Sequence, residues 1–301
     1  MTDHRTLIMG ILNVTSDSFS DGGNYLDTDA AVKKGMELLE QGADIIDIGG
    51  ESTRPGAERV TAEEEQIRIL PVIGALVRQG AVISVDTMNA ATAILAVERG
   101  ATYINDVSGG LADFFMPKVV AQSGAKYIAS HWRGHSVDMD TQAVYKDAPS
   151  DITRELQDRV DALLAEGIAP ENLILDPGLG FAKNSEHNWQ MLGRLDELQE
   201  LGFPLLIGAS RKRFLASLLP ENASMEDRDS ATVAVSVLSA RAGAWGVRVH
   251  DVARTYGALR VLESWNAGAR RSATEATSDR LTALTEEFSD RGTQDDESDR
   301  S

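Results

Sequence analysis

Eight short apolar runs, each followed by a longer amphipathic stretch, set the possible architectures of this chain. The runs cover residues 7–12, 45–48, 82–85, 103–104, 127–129, 173–175, 205–207 and 245–249. Several carry no polar alternation, as expected of strands covered on both faces. Between them, residues 30–41, 62–78, 90–99, 153–166 and 230–242 repeat apolar positions at helical spacing. Gly42, Gly80, Gly100, Gly124, Gly167, Gly202 and Gly243 follow most of these segments and read as helix C-caps. Eight strand-then-helix units are the count of a (β/α)₈ TIM barrel, an α/β fold of roughly 250 residues. A doubly wound sheet uses the same units, so the count favours the barrel without settling it. Uneven strand spacing leaves no sequence repeat.

The rhythm gives residues 1–6 as an N-terminal extension, 7–268 as a single barrel domain and 269–301 as an acidic, disordered tail. Residues 275–301 hold nine acids against three arginines and so contribute −6 to the formal net charge of −18. That charge argues against broad surfaces for nucleic acid or anionic membrane, while leaving room for a local basic pocket. The chain has no Cys, which removes disulfides, thiolate metal sites and a cysteine nucleophile together. No apolar run approaches the roughly 20 residues that cross a bilayer. Asp3 stands where a signal peptide carries bases, and the first apolar run breaks at Asn13, so a cytoplasmic location is expected.

Nearly every apolar run ends in polar residues: Asn13, Asp47 to Arg54, Asp86-Thr87, Asn105-Asp106, His131, Asp176-Pro177, Ser210-Arg211-Lys212, and Arg248 with His250. One such cluster is ordinarily a turn or helix cap. Eight of them at strand ends would share one rim of a parallel barrel, where residues far apart in sequence converge. Residues 14–25 and 50–59 are long Gly/Ser-rich loops, suited to be lids over that rim.

These motifs resemble those of the dihydropteroate synthases. Met9-Gly-Ile-Leu-Asn-Val-Thr-Ser-Asp-Ser-Phe-Ser-Asp-Gly-Gly23 is similar to the family's first signature, and Asp47-Ile-Gly-Gly-Glu-Ser-Thr-Arg-Pro-Gly56 to its second. Ser84-Val-Asp-Thr87, Ile104-Asn-Asp-Val107, Asp176-Pro-Gly-Leu-Gly-Phe181, Gly208-Ala-Ser-Arg-Lys212 and Arg248-Val-His-Asp251 continue the match in order, over roughly residues 7–265. The actinobacterial members are the nearest in character. Two departures stand out: Ser130-His131-Trp132-Arg133 replaces a common Met-His, and Leu179 and Ala182 replace the commoner Phe and Gly.

The resemblance implies transfer of p-aminobenzoate onto 6-hydroxymethyl-7,8-dihydropterin diphosphate. Diphosphate leaves, Mg²⁺ is the cofactor, sulfonamides inhibit, and the enzyme is a homodimer built through its late helices. A pterin edge offers planar donors and acceptors, which buried carboxylates and a carboxamide can pair and so discriminate. By resemblance Asp86, Asn105 and Asp176 do this, helped by Lys212 and the backbone near Gly208. Alternatives remain for two of them: Asp176 as a cap before Pro177, and Asp106 as the functional neighbour of Asn105.

Asn13 resembles the residue that touches the metal and diphosphate. Arg248 and His250 alternate on strand 8, point to one face, and suit the diphosphate. Ser210 at the start of the following helix suits the p-aminobenzoate carboxylate, with positive charge from Arg211 and Lys212. By resemblance Thr53, Arg54, Pro55 and Phe181 wall its ring, and Phe19 and Asp21 close over the site. An arylamine is a weak nucleophile, and a methylene on an electron-rich dihydropterin can support a cation. A dissociative, SN1-like path is therefore expected, with water excluded. Three other readings are open: a Schiff-base role for Lys212, a methyltetrahydrofolate-binding methyltransferase, and a non-catalytic pterin-binding barrel.

Overall fold

A computed structural model of the chain describes residues 5–15, 23–51, 60–134 and 139–269, with the side chains of 23–27 and 139–140 outside the description. Strand and helix alternate from the start: β1 (Leu7–Asn13), α1 (Gly23–Glu40), β2 (Ile45–Gly49), α2 (Ala62–Arg78), β3 (Ile83–Asp86) and α3 (Ala90–Glu98). The order continues with β4 (Tyr103–Asp106), α4 (Met116–Ser123), β5 (Lys126–Ser130), α5 (Ala148–Ala165) and β6 (Leu173–Asp176). It closes with α6 (Ser185–Gly193), α7 (Leu195–Gln199), β7 (Leu206–Ile207), α8 (Arg213–Ala216), α9 (Met225–Arg241) and β8 (Gly246–Val249). A last helix covers residues 252–269.

The strands form one parallel sheet in the order β6-β5-β4-β3-β2-β1-β8-β7. A parallel bridge between Leu175 and Leu205, with Leu175 N–H donating to the Pro204 carbonyl at 2.9 Å, joins its two edges. This is the (β/α)₈ barrel, and the doubly wound alternative falls away. Among the described residues no helix is long and apolar enough to cross a membrane.

Side-chain alternation divides each strand into an outer face against the helices and an inner face toward the axis. The lower interior is apolar: Met9, Ile45, Tyr103, Ile128, Ile174 and Leu206 form one buried cluster. Toward the carboxyl ends the same inner positions turn polar. Asp47 lies beside Ser84, Gly49 beside Asp86, Asp86 beside Asn105, and Ser130 beside Asp176 in the strand register. The fold thus changes solvent character along its own axis, with the core below and the polar site above.

All seven glycines expected at helix ends have positive φ. Gly42 shows why at least one cannot change: a Cβ there would stand 2.4 Å from the Tyr256 ring. Helix starts are also built locally. The Thr61 hydroxyl accepts from Glu64 N–H at 3.2 Å to start α2, and Ser224 with Asp227 forms a capping box at α9.

One expectation shifts. Gly23 to Tyr25, assigned to the first loop, begin α1. The chain divides into a compact unit ending at Leu259 and a second whose described part is residues 260–269. The tail beyond 269 and most of both long loops lie outside the described residues.

Candidate active site at the carboxyl rim of the barrel

The inner positions at the strand ends converge on one buried network. Arg248 on β8 reaches across the barrel, donating from Nε to Asp47 Oδ2 at 2.6 Å and from Nη2 to Asp86 Oδ2 at 2.7 Å. Asn105 donates from Nδ2 to the same Asp47 oxygen at 3.1 Å. That bond turns the Asn105 carbonyl oxygen away from Asp47, leaving it to serve as an acceptor. Asp47 is fully buried, and its Oδ1 has no partner among the described residues. The strand motif contains Asp47 but gives it no role. Its alternation with Ile45 and Gly49 was the available signal, because those positions share the inner face.

Burial pushes the Asp86 carboxyl up to about 7; Arg248 pulls it down, and the neighbouring charges of Asp47, Glu65 and Asp106 push it further up. Asp86 is aimed by the turn behind it. Glu65 of α2, itself buried, accepts from Thr87 Oγ1 at 3.0 Å, Asn89 Nδ2 at 2.8 Å and Thr92 Oγ1 at 2.7 Å.

Asn105 faces inward, whereas Asp106 faces outward and is consumed structurally. Asp106 accepts from Ser108 N–H and Oγ, Gly110 N–H at 2.8 Å and Tyr127 OH at 2.7 Å. Asp106 is therefore the anchor of the β4 turn, and Asn105 is the inward-facing group. Asp176 caps its own turn with one carboxylate oxygen and keeps the other toward β7. Its Oδ1 caps the following turn through Gly178 N–H at 2.6 Å, and its Oδ2 lies where a Cβ on Gly208 would approach to 3.4 Å. Gly49 borders Asp86 in the same way, its added Cβ meeting Asp86 Cβ at 3.4 Å. Burial raises the Asp176 carboxyl, and Lys212 and Arg248 draw it back.

Lys212 donates to the Leu179 carbonyl and lies 4.5 Å over the Phe181 ring. Burial lowers its ammonium to about 8, opposed by Asp176 and Asp86. Gly180, with φ 77°, permits this crossing: a Cβ there would lie 2.9 Å from Lys212 Cδ. Asn13, half-buried, ends β1 on the inner face beside Gly49.

The β7 end differs from expectation in two ways. Ser210 does not start a helix, because α8 begins at Arg213 with Lys212 as its cap. Instead Ser210 Oγ accepts from His250 N–H at 3.2 Å and lies 2.9 Å from His250 Nδ1, tying the ends of β7 and β8 together. Arg211 adopts φ 59°, and its guanidinium holds Asp229 of α9 through bonds of 2.7 and 2.8 Å. The rim thus brings together Asn13, Asp86, Asn105, Asp176, Lys212, Ser210, Arg248 and His250, while Arg211 is committed to α9. Thr53, Arg54 and Pro55, with Phe19 and Asp21, lie outside the described residues.

Comparison with known proteins identifies the family. The family described as pterin binding enzyme matches residues 9–250. A dihydropteroate synthase of Mycobacterium leprae is 46% identical over 263 residues, covering 86% of this chain and 93% of its own. A solved structure of the Xanthomonas albilineans dihydropteroate synthase with 4-aminobenzoic acid superposes with a TM-score of 0.81 at 42% identity, covering 87% of this chain and 94% of that one. The structure of the X. albilineans enzyme with 7,8-dihydropteroate gives 0.79 at 39% identity, with 89% and 96% covered. The chain belongs to the pterin binding enzyme family and, within it, to the dihydropteroate synthases, transferases of folate biosynthesis.

Proposed function

We propose that the chain condenses 6-hydroxymethyl-7,8-dihydropterin diphosphate with p-aminobenzoate, with the pterin edge held by Asp86, Asn105 and Asp176. The observation that carries this reading is the convergence of two carboxylates and an oriented carboxamide on one rim, together with Arg248. Such a set pairs with a planar donor–acceptor edge and penalises analogues that leave it unpaired. Ligands in the X. albilineans structures, 4-aminobenzoic acid and 7,8-dihydropteroate, belong to the same chemistry.

Arg248, held by Asp47 and Asp86, supplies fixed positive charge to the leaving diphosphate, and His250, bonded to Ser210, faces it from the same strand. Lys212 neutralises Asp176 and backs the ring of Phe181. Ser210, Phe181 and the second loop with Thr53, Arg54 and Pro55 receive p-aminobenzoate. Arg211 acts there mainly by holding the Ser210–Lys212 turn against Asp229. A methyltransferase reading leaves the Ser210–His250 pair and Lys212 without an anion, and a Schiff-base lysine fits poorly beside the Leu179 carbonyl that Lys212 holds.

Among the described residues no three His, Cys, Asp or Glu side chains cluster to cage a metal. The donor set fits Mg²⁺ carried by the diphosphate, with the Asn13 carboxamide oxygen as one protein ligand. Bound there, the ion would neutralise charge on the departing oxygens. The path is dissociative: the methylene–oxygen bond breaks ahead of C–N bond formation, Asp86 and Asp176 stabilise the cation, and the amine then attacks. The enzyme acts as a cytoplasmic homodimer. Exposed Leu238 on α9, one of the late helices, supports the dimer.

One assay decides the reaction: purified protein, pterin diphosphate, Mg²⁺ and p-aminobenzoate, following diphosphate release. Release that needs p-aminobenzoate supports condensation, and pterin binding without release would leave a non-catalytic barrel. Rapid quench addresses the path. Diphosphate that never precedes product would make the substitution concerted.

A further inference from the structure

Lys183 is 6% exposed and has no part in the chemistry above. Its ammonium sits inside the turn that follows β6, donating to the Gly178 carbonyl at 3.1 Å and the Phe181 carbonyl at 3.1 Å. Its third bond, at 2.9 Å, goes to Nδ1 of the buried His131. With Nζ as the donor, Nδ1 accepts and the imidazole proton rests on Nε2. Nε2 then donates to Glu155 Oε2 at 3.0 Å, and Arg133 grips both Glu155 oxygens at 2.9 and 2.5 Å. Arg133 also donates to the Val144 carbonyl at 2.7 Å and covers the Tyr145 ring at 3.8 Å. The Tyr145 hydroxyl returns to the turn, donating to the Ala182 carbonyl at 2.9 Å. Ala182 holds φ 47°, a conformation an alanine keeps only when its surroundings enforce it.

Gly178 joins this network to the site. Its carbonyl is held by Lys183, and its N–H clamps Asp176 Oδ1. Gly178 itself, at φ 65°, passes so close to strand β5 that a Cβ would lie 2.2 Å from the His131 carbonyl oxygen. No other residue fits there, and the turn has one place to sit.

We propose that Lys183, seated on neutral His131, is a positioning residue that fixes the Gly178–Ala182 turn and thereby aims Asp176 at the pterin. A second lysine so near Lys212 and Arg133 is electrostatically unfavourable, and burial with these cations lowers its ammonium well below the ordinary value. The charge facing His131 comes from Lys183, from Glu155 on α5 and from Arg133 on the β5–α5 connection. Three acceptors converging on Nζ explain why the position is filled by a donor rather than by an apolar side chain. The inference rests on the pterin-binding role of Asp176.

The test is a double-mutant cycle between Lys183→Met and Asp176→Asn, read as kcat/KM for pterin diphosphate and as binding of 6-hydroxymethylpterin. Displacement of a reacting group by an ångström costs about 10²-fold, and Lys183→Met in the otherwise native protein should show a loss of that order. Because Lys183 acts through Asp176, adding Lys183→Met to Asp176→Asn should cost little more. Equal losses in both backgrounds, or full activity of Lys183→Met alone, overturn the proposal. Where Lys183→Met does not melt cooperatively, Tyr145→Phe takes its place in the same cycle under the same criteria. Wild-type protein that neither binds nor turns over the pterin indicts the functional reading instead.

Discussion

Replacing Asp47 by Ala tests the geometry of the site more sharply than replacing any residue that touches substrate. Asp47 is fully buried and accepts from both Arg248 and Asn105 through one oxygen. Removing one partner of a buried ion pair costs about 3–5 kcal/mol, because the remaining charge stays desolvated. Arg248 retains Asp86, which places Asp47→Ala toward the lower end of that range. A barrel of this size loses about 2–4 °C per kcal/mol, so a fall of roughly 6–12 °C in Tm is expected.

The pH profile carries the more specific consequence. Asp86 stands at about 7 partly because Asp47 is negative beside it and Arg248 is shared between them. In the wild type, kcat/KM for the pterin should decline as pH falls through about 7, where Asp86 takes up a proton. In Asp47→Ala one source of repulsion is gone and Arg248 belongs to Asp86 alone, so that limb moves to lower pH even as the maximal rate drops. Thermal melts and steady-state profiles over about pH 5–9 measure both quantities. A limb that stays in place or moves upward, or an unchanged melt, would refute the three-residue arrangement. Pairing Asp47→Ala with Asn105→Ala should also reveal a coupling of about 0.5–3 kcal/mol.

Other outcomes follow from the same geometry. Lys212→Ala should lower kcat by about 10²–10³-fold; Lys212→Arg should keep part of the rate and lose the basic limb near pH 8, where the lysine gives up its proton. Gly208→Ala places a methyl 3.4 Å from Asp176 Oδ2, an ordinary contact within the fold. It should leave the melt unchanged while raising KM for the pterin about 10- to 200-fold. Burial lowers His131 from 6.5 to about 4, so the unfolded chain binds the proton first as pH falls. Its contribution to stability is intact above pH 6.5 and lost toward about pH 4, and His131→Gln should flatten that part of the urea-midpoint profile. Asp86, raised rather than lowered, slopes the other way, so the informative quantity is wild type minus variant.

The barrel was legible because its strands are buried on both faces and so read as apolar runs, β2 being buried at every position. Helices α7 and α8 were not, since they have five and four residues and too few turns to establish a period. Inward polar residues at strand ends were found because strand alternation and the motifs agree on them. Asp47 escaped because an acid inside an isoleucine run carries no local sign of a partner 201 positions away. Arg211 looked like a free cation next to Lys212, and only packing of the Ser210–Lys212 turn against α9 supplies Asp229. Lys183 is a surface residue by type. Its burial exists only once the β6 turn wraps its carbonyls around it.

The arc between β6 and β7 has a mechanical meaning. Every other neighbouring pair of strands shares a ladder, whereas these two meet through the Leu175–Leu205 bridge, and β7 is two residues long. Asp176 stands on one bank and Gly208 to Lys212 on the other, so the hoop has its weakest stave where a pterin would be gripped. A molecule bonded to both banks acts as a suture, adding its own hydrogen bonds to those the backbone lacks there. Ligands that span the arc should stiffen the whole hoop, while ligands resting on one bank fill space and leave it as loose as before.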